Sequence, residues 1–458
     1  METKVWVPSG VLGSGFAPET VARGLELGPD AIAIDAGSTD SGPHYLGTGT
    51  SKMTREAVAH DLRQLLRARE RLGCPLLVGS CGTCGVDAAV DWVGEIVLEL
   101  LAEESLSAKV TLLYAEQRAS LLKEKLAAGR LRPLAPAAEL TAADLNACEH
   151  IVALLGAEPY IAALAAGADI VLGGRTTDTA VLSAAPLLRG CPPGPTWHAA
   201  KIAECGAFCT TQPASGGVVF TVDDTGFDIE PLSAGAACTP RTVSAHMLYE
   251  NADPYRLNEP GGCLDVSQAH YRALSERRVR VEGAQWQPQP YTLKLEGAAA
   301  AGFQTLLLVG VQDPDILARL NRWLSNLDAY LRAKLADVLA LSETDYDLSL
   351  RAYGLNAVSG GRVRASEHVP REVGLLLTVT APSQDLATRI AKLCNPYLLH
   401  FPLRRGDPLP SFAFPFSPAE IERGPVYAFR LNHVVEVEDA LELVRTASLT
   451  KAHHADPA

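Results

Sequence analysis

Short apolar runs alternate along the first half of the chain with segments whose apolar residues recur at helical spacing. KVWVPSG predicts a strand, and a glycine turn then leads to Pro18 and a helical pattern that stops near Gly28. DAIAIDAGSTDSG predicts a buried strand breaking into a polar, glycine-rich loop. The same order repeats: a helix from about Arg55 to Leu72, strand CPLLVG, loop SCGTCG, a helix through Leu101, strand KVTLLYA and a helix near Arg118–Ala128. It continues with strand HIVALLG, helix EPYIAALAAG, strand DIVLGG, loop RTTD and helix TAVLSAAPLL. Continuous apolar strands separated by helices predict an α/β fold, with a mostly parallel sheet covered by helices on both faces.

Beyond about residue 215 the pattern changes. GGVVFTVDD, GFDIEPL, YTLKLEG and TLLLVG predict strands of a more antiparallel kind, followed by a long helix from Pro314 to about Leu339. DYDLSLRAYG and EVGLLLTVTA predict further strands and QDLATRIAKLC a helix, while LHFPLRRGDPLPSFAFPFSP predicts a surface loop and the tail HHADPA a frayed end. The expected division is an α/β domain over residues 1–225 and an α+β domain over residues 226–458, as suits a chain of 458 residues.

The net charge of −13, with no long run of Lys or Arg, argues against nucleic acid or an anionic membrane surface as partner. No apolar run is long enough to span a bilayer and METKVWVPSG lacks the apolar core of a signal peptide, which predicts a cytoplasmic protein. Ten cysteines are too sparse for a disulfide framework, so they are expected to be buried small residues, free thiols or metal ligands.

The polar residues cluster in loops that follow strand carboxyl ends. These are Asp35 to Thr50, Ser80 to Asp87 and Gly173 to Asp178. In open α/β sheets the crevice outside those ends is where ligands bind, so the three loops are expected to share one site. The first turn carries Gly10, Gly13 and Gly15, whose amides suit either an anion cradle or a plain tight turn. Asp35, Asp40 and His44 are candidate acid/base groups or hard-metal ligands, the alternative being a polar turn whose aspartates bond their own backbone.

In SCGTCG, Cys81, Gly82 and Cys84 have the spacing of half a metal site or a dithiol, or line a ligand-binding turn. Gly173, Gly174, Arg175, Thr176 and Asp178 end a strand and begin a helix, and there Arg175 is the candidate seat for a substrate carboxylate, or a solvated arginine beside an ordinary cap. In AECGAFCTT, Glu204 is the candidate general base or metal ligand and Cys205 stands beside it. A neighbouring carboxylate raises a thiol's pKa, which disfavours an ionised Cys205 nucleophile.

DIVLGGRTTDTAVLSAAPL, KIAECGAFCTTQPASGG, CTPRTVSAHMLYENADPYRLNEPGG, REVGLLLTVTA and SPAEIERGPVYAFRLNHVV together resemble the AtuA family of acyclic terpene utilisation proteins, over about Val5 to Val435. The resemblance carries Gly173, Gly174, Arg175, Asp178, Glu204, Cys205, Gly206, Gly216, Gly217, Thr239, Tyr249, Glu250, Asp253 and Pro254, without fixing a role for any of them. It implies a lyase or hydratase that handles a small branched carboxylic acid or its CoA thioester, with CoA entering only as part of the substrate. DAGSTDSGPHYLG and SCGTCG depart from the family pattern, which implies a different substrate. GPVYAFRLNHVVEVEDALELV is similar to the small companion protein of some relatives, which implies a fused remnant.

The expectation is therefore an acid/base enzyme with no resident cofactor, binding a small carboxylate or acyl-CoA and self-associating as a homo-oligomer. The rivals are a partner-dependent scaffold subunit and a metal-dependent hydrolase using a divalent ion.

Overall fold

The computed structural model describes residues 2–360 and 369–449. The tail expected to fray lies outside them. In the first half the strands are β1 (Thr3–Val7), β2 (Ala31–Asp35), β3 (Leu76–Gly79), β4 (Val110–Tyr114), β5 (Leu131–Pro133), β6 (Cys148–Ala153) and β7 (Ile170–Gly173). The helices there are α1 (Pro18–Leu27), α2 (His44–Thr48), α3 (Arg55–Leu72), α4 (Asp87–Glu103), α5 (Ala119–Ala127), α6 (Ala142–Ala147), α7 (Glu158–Ala165), α8 (Asp178–Leu188) and α9 (Pro193–Ala203). Next come β8 (Val218–Val222), β9 (Gly226–Pro231), α10 (Pro240–His246), β10 (Arg256–Glu259), β11 (Gly262–Asp265), β12 (His270–Ala273), β13 (Val279–Glu282), β14 (Gln285–Pro288) and β15 (Thr292–Val311). The remaining elements are α11 (Pro314–Leu317), α12 (Leu320–Leu339), β16 (Asp347–Tyr353), β17 (Val373–Ala381), α13 (Gln384–His400), β18 (Ile421–Glu436) and β19 (Arg445–Leu449).

The chain forms two compact units, one running up to Ala299 and resuming at Phe429, the other spanning Ala300–Ala428. The expected boundary at residue 225 instead falls in the turn of the β8–β9 hairpin, whose two strands pair antiparallel. That hairpin joins the N-terminal sheet because β8 pairs with β1 through a fully buried VVFTV.

Among the described residues of the first unit, ten strands make one mixed sheet in the order β12-β13-β9-β8-β1-β2-β3-β7-β4-β19. Its middle, β1-β2-β3-β7-β4, is parallel, as the apolar runs predict. The flanks are antiparallel, so the sheet is more mixed than expected while the α/β class stands. Each central strand alternates between two cores. Ile32 and Ile34 pack with Trp6, Leu76 and Val78 beneath α3 and α4, whereas Ala31 and Ala33 pack with Val5, Leu77 and Val171 beneath α8 and α9. A sheet buried on both faces leaves its polar chemistry to the strand ends.

β6 departs from the expected parallel layer. It pairs antiparallel with the first part of β15, Leu295 lying opposite Ala153. In the second unit β17 alternates buried and half-buried residues along its whole length. It is flanked by β16 and the later part of β15, and its buried face packs with α12 and α13. The expected long helix from Pro314 is two helices, broken at Ala318–Arg319.

Candidate active site

A cavity of about 560 Å³ opens where the carboxyl ends of β1, β2 and β3 meet the start of α8. Asp35, Asp40, Thr83, Asp178 and Cys205 all line it, so segments far apart in sequence do meet. Asp35 is the last residue of β2 and accepts the Gly37 amide at 2.9 Å. Gly37 has φ +126°, and a Cβ there would stand 3.1 Å from the Thr83 backbone, so only glycine lets these two loops touch. The turn after β3 is tightly wound: Ser80 and Thr83 both have positive φ, 48° and 78°. For a β-branched threonine this is a strained conformation, and Thr83 holds it while its hydroxyl accepts the Lys52 amide at 3.0 Å.

The carboxylates here are shifted in protonation. Asp35 is buried and, among the described residues, its Oδ1 has no hydrogen-bond partner. Burial first, and then the charge of Asp178, push its carboxyl well above the usual range, against the pull of Arg175. Asp178 is raised by burial and held back by Arg175. Around it stand Glu204, raised by burial to about 8 despite Lys201, and Glu259, raised by burial to about 7.

Other expected site residues take structural roles. The amides of Gly13 and Gly15 donate to the Asp61 carboxylate at 2.8 and 3.1 Å, so this loop cradles the protein's own anion and not a ligand's, although Gly15 also reaches the cavity wall. His44 is exposed at the start of α2 and does not line the cavity. Cys81 and Cys84 are fully buried beneath their turn, and a Cβ on Gly82 would press on Ala89. Burial pushes the Cys81 thiol up.

Gly173 and Gly174 are close-packing positions, for a Cβ would collide with Tyr160 at the first and with Ala115 at the second. The Thr176 hydroxyl donates to the Gly174 carbonyl at 2.8 Å. Arg175 is no open seat for a substrate. It is 5% exposed and already paired with Glu296 at 3.2 Å and Asp178 at 3.4 Å, while its Nη1 donates to Ser80 at 3.0 Å.

Glu204 caps the end of α9 and pairs with Lys201 at 2.5 Å. Cys205 lines the cavity and Glu204 does not. Burial, and then Glu204, push the Cys205 thiol up, as the adjacent carboxylate predicted. Lys201, His246, Glu259 and Glu296 escaped the sequence reading. Lys201 and Glu204 stand three apart on one helix face, which was legible. Glu259 and Glu296 come from strands far along the chain and carried no local signal; Glu259 is found only because the Thr177 and Thr179 hydroxyls both bond it, Thr177 at 2.6 Å.

A strand-end cavity walled by carboxyl groups that burial pushes upward defines an α/β protein with a polar crevice at the carboxyl ends of its parallel strands. The family model described as acyclic terpene utilisation family protein AtuA matches residues 55–404, and the chain belongs to that family. No curated protein and no solved structure matches it. Among the described residues no helix is long and apolar enough to cross a membrane.

Proposed function

We propose that the protein is a lyase or hydratase that moves a proton at the carbon next to the carbonyl of a small branched acid, held as its CoA thioester. The observation that carries this reading is the pair Asp35 and Asp178 on one cavity wall. Burial raises both carboxyls; the charge of Asp178 adds to the rise at Asp35, while Arg175, 3.4 Å from Asp178, pulls Asp178 back towards its ionised form. Two coupled carboxyl groups, the one with the arginine beside it ionising first, supply an acid and a base together.

In the dehydration direction Asp178 takes the proton from the α-carbon. The C–H electron pair forms the double bond as the β-carbon–oxygen bond breaks, and Asp35 gives its proton to the departing hydroxide, releasing water. Proton return from Asp178 to Asp35 restores the site. Asp40 and Glu250 also line the cavity, against one lysine, Lys52. That surplus of acids disfavours a free substrate carboxylate and favours a neutral thioester carbonyl, which needs no counter-charge.

The test is α-proton exchange. Incubated in D₂O with a panel of branched 3-hydroxyacyl-CoA thioesters, the protein is expected to incorporate one deuterium at the α-carbon of at least one of them through reversible dehydration. Asp35→Asn and Asp178→Asn should each slow the reaction by about 10²–10⁴-fold. Absence of exchange across the panel would overturn the reading.

A further inference from the structure

We propose that Glu204, Cys205 and His246 form a site for a single zinc-class divalent ion at the wall of the cavity. The three are brought together by different elements. Glu204 and Cys205 follow α9, and His246 is the last residue of α10, whose start is fixed by a capping box between Thr239 and Thr242. One ligand atom from each lies within 4.8 Å of the other two. Zinc bonds of about 2.0–2.3 Å set tetrahedral neighbours about 3.3–3.8 Å apart, so a small side-chain adjustment closes the site.

A second observation points the same way. His246 is 4% exposed and, among the described residues, its Nε2 has no hydrogen-bond partner, an unfavourable arrangement for a buried nitrogen unless something occupies it. The ring is held in place by stacking on Tyr249, centroids 5.4 Å apart at 13°. Cys205 is fixed from the other side, because its backbone lies where a Cβ on Gly10 would stand, at 2.9 Å.

The surroundings favour a cation. Asp178, Glu250 and Glu259 all act electrostatically on this cluster, with Lys201 as the opposing charge. Lys201 bonds Oε1 of Glu204, which leaves Oε2 as the ligand atom. Nitrogen, sulfur and carboxylate oxygen together suit zinc better than magnesium or calcium, which take oxygen alone. Three protein ligands are the number found in zinc sites that keep a fourth position open, and Cys205, the member lining the cavity, turns that position towards bound molecules. The histidine and carboxylates of the first long loop, the expected hard-metal candidates, are not part of it.

The experiment uses the full chain stripped with chelator and then titrated with Zn²⁺ and, separately, Co²⁺. Expected are one equivalent of zinc per chain, a rise in melting temperature with zinc, and a sulfur-to-cobalt charge-transfer band. Cys205→Ser should abolish that band, and His246→Gln should weaken zinc binding at least about tenfold, the range seen when a metal site loses a supporting group. Cys205 is only partly buried, so Cys205→Ser keeps the fold and carries the test alone if His246→Gln does not fold. Failure to retain zinc, a cobalt complex without the charge-transfer band, or variants that hold zinc as tightly as the parent would each overturn the site. These readouts need no turnover, so they stand or fall apart from the proton-exchange reading.

Discussion

Asp35 shows how one side chain can be set against stability. Its carboxyl is raised above an unfolded value of about 3.9, so the folded protein binds that proton more tightly than the unfolded chain does. Its contribution is full below the unfolded pKa and is lost as pH rises towards the folded one. Asp35→Asn removes that loss. Urea unfolding across the pH range should show the parent losing stability with rising pH more steeply than the variant, while the variant loses proton exchange; parallel curves would refute the assignment.

Arg175 gives the opposite case. Replacing it with Met takes the arginine from Asp178 and from Glu296, which keeps Lys294 at 2.9 Å and Thr39 at 2.9 Å, so the cost is expected to stay below the about 3–5 kcal/mol of a buried pair left wholly unpaired. Adding Glu296→Gln should recover part of that loss in the denaturation midpoint. Asp35, Asp178 and Cys205 could be read from sequence because strand ends and helix starts are marked locally. That Arg175 is already neutralised could not, since Glu296 lies 121 positions away.

Elements with strong local punctuation were legible in kind and in approximate extent. Helix α3 runs from Arg55 to Leu72 because Thr54 caps its start by accepting the Ala57 amide and Gly73, at φ 64°, stops it. β6 was found as a strand but placed in the wrong layer. HIVALLG is as apolar as its neighbours, and its partner, β15, is supplied only after another 138 residues. That displacement brings His150 onto Glu116, paired at 2.6 Å just beyond the end of β4.

The hydrogen bond to Glu116 raises the His150 pKa, assisted by Glu149 and Asp87 and opposed by burial. A histidine raised above about 6.5 stabilises fully below that pH and loses its effect as pH climbs through the folded value. His150→Gln is therefore expected to cost about 0.5–1 kcal/mol near pH 6 and little above pH 8, read from chemical denaturation at the two pH values. An equal cost at both would show that the contact matters only for packing.

For the whole molecule the class of fold was legible and its partition was not. Periodicity reports whether a strand is buried on one face or two, but nothing within β8 and β9 says which sheet they join. Their register against β1, from Thr3–Val222 to Val7–Val218, is set by packing across the chain. The sheet's far edge has the same character. β19 covers β4 from Arg445–Tyr114 to Leu449–Val110, Leu449 packs against Gly94, and Arg445 sits over the Tyr114 ring and pairs with Asp87. A chain ended at Val444 should expose the β4 edge and elute as aggregates in size-exclusion chromatography, whereas a monodisperse peak would show that the edge tolerates exposure.

Because the strand that shields β4 is drawn from residues 445–449, more than 300 positions of translation separate the two. The flank of β4 therefore stays open until residues 445–449 have been made. In that interval the nascent chain carries an unpaired strand edge, and synthesis interrupted between the two strands would leave that edge free to pair with another chain.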